Sequence, residues 1–125
     1  MLKRDLIMIQ FEELGKMIAQ VTFNRNNNKT EESPQLLQAI YQSLKIESGC
    51  LMTTSLEDLI RQLDREDGGL LYRMELVAKT LLEESYLKPK EQQEMRNRAR
   101  LLLEYVQQHD TTFSLERAGL LDQLK

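Results

Sequence analysis

The chain has a single cysteine, a single histidine, two prolines and no tryptophan in 125 residues. With Cys50 alone, neither an intrachain disulfide nor a zinc site of several thiolates forms, which fits a reducing cytoplasm. Long apolar runs are missing too. A membrane-spanning helix needs about 20 mostly apolar residues, and no window approaches that. The opening MLKRDLIMIQFEELGKM starts charged and turns apolar, as a secretory leader does, but Asp5, Gln10, Glu12 and Glu13 interrupt the apolar run. It is expected to stay on the mature protein as the first helix of its domain. An excess of positive charge is also absent. Seventeen Lys and Arg stand against twenty Asp and Glu, a net charge of -3, so no long-range field draws phosphate backbones or anionic lipid, and neither nucleic acid nor membrane is expected as a partner. Sustained alternation of apolar and polar residues does not occur, and Val, Ile and Thr are sparse beside Leu, Gln and Glu.

What is present is helical periodicity. Apolar residues make up 41% of the chain and charged residues 30%, a normal balance for a globular protein, and residues 1–125 are expected to form one helical domain. From Asp5 to about Asn24, Ile7, Phe11, Leu14, Ile18 and Val21 recur at steps of three and four and line one face. Met8, Ile9 and Phe23 lie off that stripe, beside Glu12 and Lys16, and mark a candidate interaction surface. The Asn-rich NRNNNKTEES reads as a loop. Ser33 then stands as an N-cap with Pro34 in the first turn of a helix buried through Leu36, Leu37, Ile40, Tyr41 and Leu44, and Ser48 and Gly49 supply its stop.

A short helix follows in SLEDLIRQL, where Ser55 and Asp58 have the spacing of an N-cap and its reciprocal partner. The paired glycines Gly68 and Gly69 make a turn. A broad stripe of Leu70, Met74, Val77, Ala78 and Leu81 then runs to about Tyr86, with Glu83 and Glu84 expected on the outward face. From about Pro89 to Gln108 a further helix buries Met95, Ala99, Leu102 and Val106. Ser114 caps a last helix, with Phe113 stapled near Ala118 and with Leu115, Leu121 and Leu124 docking. The pattern predicts an all-α protein of about six antiparallel amphipathic helices, either a hairpin stack or a small bundle.

The residues Lys3, Arg4, Asp5, Ile7 and Met8, leading MLKRDLIMIQFEELGKMIAQVTF, resemble the start of an uncharacterised bacterial family of helical proteins, and the likeness extends more weakly over SPQLLQAIYQSLKIESGCLMTTSLEDLIRQL. That resemblance implies a tetratricopeptide-like fold and carries no activity, cofactor or site residue. The repeat pattern itself departs from the tetratricopeptide unit. With Ala99 at the late alanine, Gln92 and Arg96 fall where a small residue and an aromatic are expected, and no second copy stands in register.

Reactive chemistry is thinly represented. His109, in QQHDTT after a helix, is placed to cap the last carbonyls, with Asp110 as its only sequence neighbour able to orient it. Cys50 reads as a small buried hydrophobe. Glu57, Asp58, Asp64, Glu66 and Asp67 read as a solvated turn, since their spacing is not that of a calcium loop. Lys88, Lys90, Arg96, Arg98 and Arg100 are interspersed with Glu91, Glu94 and Glu104 and form no continuous basic stripe. Met8, Met17, Met74 and Met95 sit at helical apolar positions as core filling. No catalytic, metal-binding or cofactor-binding residue is assigned. The expected function is a noncatalytic module that binds a protein or peptide partner or a second copy of itself; the alternative is a small enzyme or ligand receptor with a site between helices.

Overall fold

The computed structural model describes residues 3–125, with the side chains of Lys3, Arg4 and Ser48 excepted. Every element among the described residues is helical: α1 (Lys3–Asn26), α2 (Ser33–Ser43), α3 (Ser48–Leu51), α4 (Leu56–Leu63), α5 (Leu70–Ser85), α6 (Gln92–His109) and α7 (Leu115–Leu124). The all-α expectation holds. The one helix the periodicity does not reveal is α3, whose 4 residues are too short to carry an apolar stripe.

Long-range pairs fix the directions of the helices. Phe11 of α1 stacks on Tyr72 near the start of α5, while Thr22 and Arg25 at the end of α1 bond Glu83 near the end of α5, so these two helices run parallel. The reversed helix α2 bonds Glu84 through Tyr41 at 2.8 Å. Beyond Pro89 the chain turns back as α6, and Gln92 donates to the Ser85 carbonyl across the turn. At the start of α7, Arg117 meets Glu75 and Glu116 meets Lys79, while Leu124 lies beside Tyr86 further along, so α7 runs parallel to α5. Sequential long helices are thus antiparallel hairpins, and α1, α5 and α7 lie side by side in one direction.

The central helix is α5. Met74, Val77, Ala78 and Leu81 are buried on its core side, against Leu14 of α1, Ile40 and Leu44 of α2, and Ala99, Leu102 and Leu103 of α6. Each large side chain buried there stabilises by roughly 1.5–3 kcal/mol relative to exposure. The start of α5 depends on Gly69. A Cβ there would meet the Phe11 ring at 2.9 Å, so only glycine lets α1 approach this closely, and Gly68 beside it takes φ +79° to turn the chain. Asp67 accepts from the Gly69 amide and holds the Arg73 guanidinium, which also bonds the Leu63 carbonyl and so ties the end of α4 to α5. These hydrogen bonds hold the Asp67 carboxyl well below the usual carboxylate range, against the upward push of burial.

Several local expectations are corrected. Glu83 and Glu84 are buried, because each has a distant partner: Thr22 and Arg25 for the first, Tyr41 for the second. Burial, with Glu84 alongside, pushes the Tyr41 hydroxyl pKa far up, so it stays a donor. Ser33 does not cap α2. Glu32 precedes the helix without a side-chain cap bond, and Ser33 is its buried first residue, with Oγ lacking a partner among the described residues. Helix α2 ends earlier than Gly49, through Lys45 in the left-handed region at φ 58°, and Gly49 lies inside α3. Ser55 and Ser114 do cap their helices, each accepting from an amide three residues on at 3.1 Å. Helix α6 starts at Gln92, later than Pro89. At the other end, Phe113 and Leu115 are not docked; they are 70% and 79% exposed. A buried Arg117 anchors α7 instead, bonding Gln107, Glu75, Asp110 and the Thr112 carbonyl.

Candidate functional site

Helix α1 packs against α5, whereas α7 packs on α6 and reaches α5 only through Arg117–Glu75 and Glu116–Lys79, so a channel is left along one face of α5. Its floor is Tyr72, Leu76, Lys79, Glu83 and Tyr86, spaced four, three, four and three apart and therefore in one line. The two tyrosines are about 21 Å apart at 1.5 Å per residue, and both are half-exposed. Two adjoining hollows of about 240 and 300 Å³ share Ile18, Thr22, Lys79 and Glu116 and make up most of the channel. A third, beside Tyr72, is lined by Ile7, Met8 and Phe11.

The wall from α1 is low. Gly15, Ala19 and Thr22 face the channel at successive turns, and a Cβ on Gly15 would meet nothing within 4 Å. The opposite wall is Glu116, Leu120 and Gln123 of α7. Polar groups are concentrated toward the Tyr86 end. Glu83 accepts from Thr22 Oγ1 at 2.7 Å and from Arg25 Nε at 2.9 Å, and the Arg25 guanidinium lies 4.0 Å over the Tyr86 ring. The hydrogen bond to Glu83 raises the Arg25 pKa. Lys79 Nζ sits 2.8 Å from Glu116 Oε1, and Arg96 donates to the Gln123 carbonyl at 3.1 Å. An arrangement of cations, a buried carboxylate, half-exposed aromatics and small wall residues can hold a polar chain with apolar side groups.

The residues singled out in the sequence are placed as follows. Met8 is half-buried against the core at the Tyr72 end of the channel. Ile9 and Phe23 are 46% and 61% exposed, four turns apart on the outer side of α1, and exposed Glu12, Lys16 and Gln20 lie between them. The three therefore do not form one apolar patch. Met17 is partly buried, and Met74 and Met95 lie in the core.

His109 Nδ1 is 2.8 Å from the Tyr105 carbonyl, with its ring stacked on Tyr105, as a residue closing its own helix would be. Asp110 bonds Arg117 and the Thr112 amide. Cys50 is exposed, correcting the expected burial, because the short α3 turns it outward, 3.6 Å from Glu47. His109, Cys50 and the acidic turn thus have separate partners. Among the described residues no group of three or more His, Cys, Asp or Glu could hold a metal ion. Lys88, Arg96, Arg98 and Arg100 are each engaged within the chain, by Glu84, the Gln123 carbonyl, the Met52 carbonyl and Glu104. No described helix is long and apolar enough to cross a membrane.

The channel itself was missed in the sequence. Its one local signal is the 4-3-4-3 line of tyrosines, lysine and glutamate on α5, which is less apolar than the stripe beside it. No known protein family, no curated protein and no solved structure matches the chain.

Proposed function

We propose that this chain is a noncatalytic protein-interaction module that takes a segment of a partner protein in the channel over α5. The observation that carries the reading is the set of hollows along Tyr72, Leu76, Lys79, Glu83 and Tyr86 on the central helix, which α1 and α7 flank and bridge only through the side chains of Thr22, Arg25 and Glu116. A wall as low as Gly15 and Ala19 contributes little to a core and leaves room for another backbone to approach. The tetratricopeptide-like reading and the bacterial origin implied by the resemblance belong to the same proposal. Its support is the succession of hairpins in which α1, α5 and α7 run parallel, since stacked hairpins bind partners along the lining their equivalent helices share. An exposed, unpaired Cys50 thiol supports placement in a reducing cytoplasm.

The test fills the channel without touching the core. Gly15→Trp adds a large side chain where a Cβ meets nothing within 4 Å and removes a helical glycine, so the circular dichroism melt should not fall below wild type while retention on immobilised nonapeptide pools is lost. Retention unchanged by a folded Gly15→Trp protein would refute the channel. A second reading, self-association, is favoured by the exposure of Ile9 and Phe23 on α1. It predicts a dimer in solution-mass measurements that Ile9→Glu dissociates, and a wild-type monomer would end it.

A further inference from the structure

We infer that the channel selects a partner segment carrying a carboxylate, and that Glu116 occupies the place of that carboxylate until the partner arrives. The inference rests on the interaction-module reading and supplies its chemistry. Two carboxylates line the two adjoining hollows, and they are held in opposite ways. Glu83 is buried, with Oε1 taken by Thr22 and Arg25 Nη2 at 2.7 and 3.2 Å and Oε2 by Arg25 Nε at 2.9 Å, so it is committed to joining α1 to α5. Glu116 makes one ion pair, to Lys79, and its side chain is 70% exposed.

The asymmetry within that second pair decides its role. The Lys79 side chain is 22% exposed against 70% for Glu116, so of the two partners Lys79 is the more enclosed and has the greater use for a counter-ion. Glu116 does not require Lys79, because a turn of its side chain returns it to water. An exposed pair of this kind is worth only about 0–1 kcal/mol. An incoming carboxylate can therefore take Lys79 while Glu116 swings out, and no charge is left unpaired.

Charge complementarity points the same way. In the two adjoining hollows Arg25, Lys79 and Arg96 stand against Glu83 and Glu116, an excess of one positive charge in a chain whose net charge is -3, while Asp67 at the Tyr72 end is neutralised by Arg73. The excess becomes two once Glu116 leaves. Arg96 is held by a backbone carbonyl and no carboxylate, so it is a second donor for the same ligand group. The occupant is accordingly an extended acidic segment. About six residues at 3.3–3.6 Å each cover the distance between Tyr72 and Tyr86, with apolar neighbours of the acidic residue meeting Leu82 and Leu120.

The experiment uses three immobilised nonapeptide pools with Glu, Gln or Lys fixed at the centre and the other positions randomised among uncharged residues. The full chain is applied as wild type, Glu116→Gln and Lys79→Met. Wild type should be retained on the Glu pool about fivefold better than on the Gln pool, and least on the Lys pool, a preference opposite to what its net charge alone would produce. Glu116→Gln, at an exposed position, should keep the wild-type melt and bind the Glu pool more tightly without gaining on the Gln pool. Lys79→Met should reduce the Glu pool to the Gln level. Glu-pool retention that is unchanged or weaker in Glu116→Gln overturns the inference, and that variant decides the matter even if Lys79→Met does not fold. Equal retention on all three pools, abolished by Gly15→Trp, sinks carboxylate selection and leaves the docking channel standing; no retention on any pool sinks both.

Discussion

The two sides of α5 were built for different ends. On the core side, Met74, Val77, Ala78 and Leu81 are sealed between α1, α2 and α6. On the channel side, about 100° or more around the same helix, Tyr72 and Tyr86 stand half-exposed, and Leu76 and Glu83 between them lie buried at the bottom of the hollows. The ion pairs repeat the contrast. Arg73–Asp67, at the start of α5, has side chains 4% and 8% exposed, and a backbone carbonyl and an amide complete its bonds. Lys79–Glu116, two turns along, has one partner in solvent. A residue that must be paired on both sides holds the fold together, whereas one whose partner can leave is free to serve another molecule.

The largest effect that would sharpen this comparison comes from the core side. Leu81→Ala should lower unfolding stability in urea by about 4 kcal/mol, within the range for a fully buried leucine, and a loss below about 1 kcal/mol would erase the distinction between the two faces.

Next comes the buried pair. Asp67→Asn strands the Arg73 charge and should cost about 3 kcal/mol at neutral pH. The sign with pH follows from the depressed carboxyl pKa in the folded state. The wild-type advantage is present in full above the unfolded carboxylate pKa of about 3.9 and is lost as pH falls toward the folded value. The gap between wild type and Asp67→Asn should therefore be constant near neutrality and narrow below about pH 4. A gap that widens in acid would contradict the assignment.

The smallest effect lies on the channel wall and has the opposite sign. Gly15→Ala places a methyl in open space within a 24-residue helix, so it should raise stability by about 1 kcal/mol. A loss would mean that the wall is closed.

Which parts of this were legible in the sequence depends on how far apart the partners lie. The stripes Ile7–Phe11–Leu14–Ile18–Val21, Leu36–Leu37–Ile40–Tyr41–Leu44 and Met95–Ala99–Leu102–Val106 are local periodicities, and the structure buries them except at Ile7 and Leu36, which are half-buried at the edge. The caps at Ser55 and Ser114 are local too. Glu83 and Glu84 look like a solvated pair because the one local partner, Lys88 four residues beyond Glu84, suits an exposed helix face; the partners that bury them sit 58, 61 and 43 positions away. Cys50, beside Leu51 and Met52, reads as a core residue because a four-residue helix leaves no periodicity to show that it faces outward. Leu115 belongs to the apolar spacing of α7 yet stays in solvent, because α7 is anchored through Arg117, a residue the apolar pattern gives no reason to bury. The channel was hidden for a related reason. It exists only because α1, packed on α5, and α7, packed on α6, are separated by most of the chain yet flank the same face of α5.

The measurement that tests this most directly is chemical-shift mapping of the isotope-labelled chain as the Glu-centred nonapeptide pool is added. The account predicts shifts that follow the channel, at Gly15, Ala19, Lys79, Glu83, Tyr86 and Leu120, with the amides of Ile9, Phe23 and Leu102 unmoved. Shifts confined to the outer side of α1 around Ile9 and Phe23, or to Phe113 and Leu115, would contradict it.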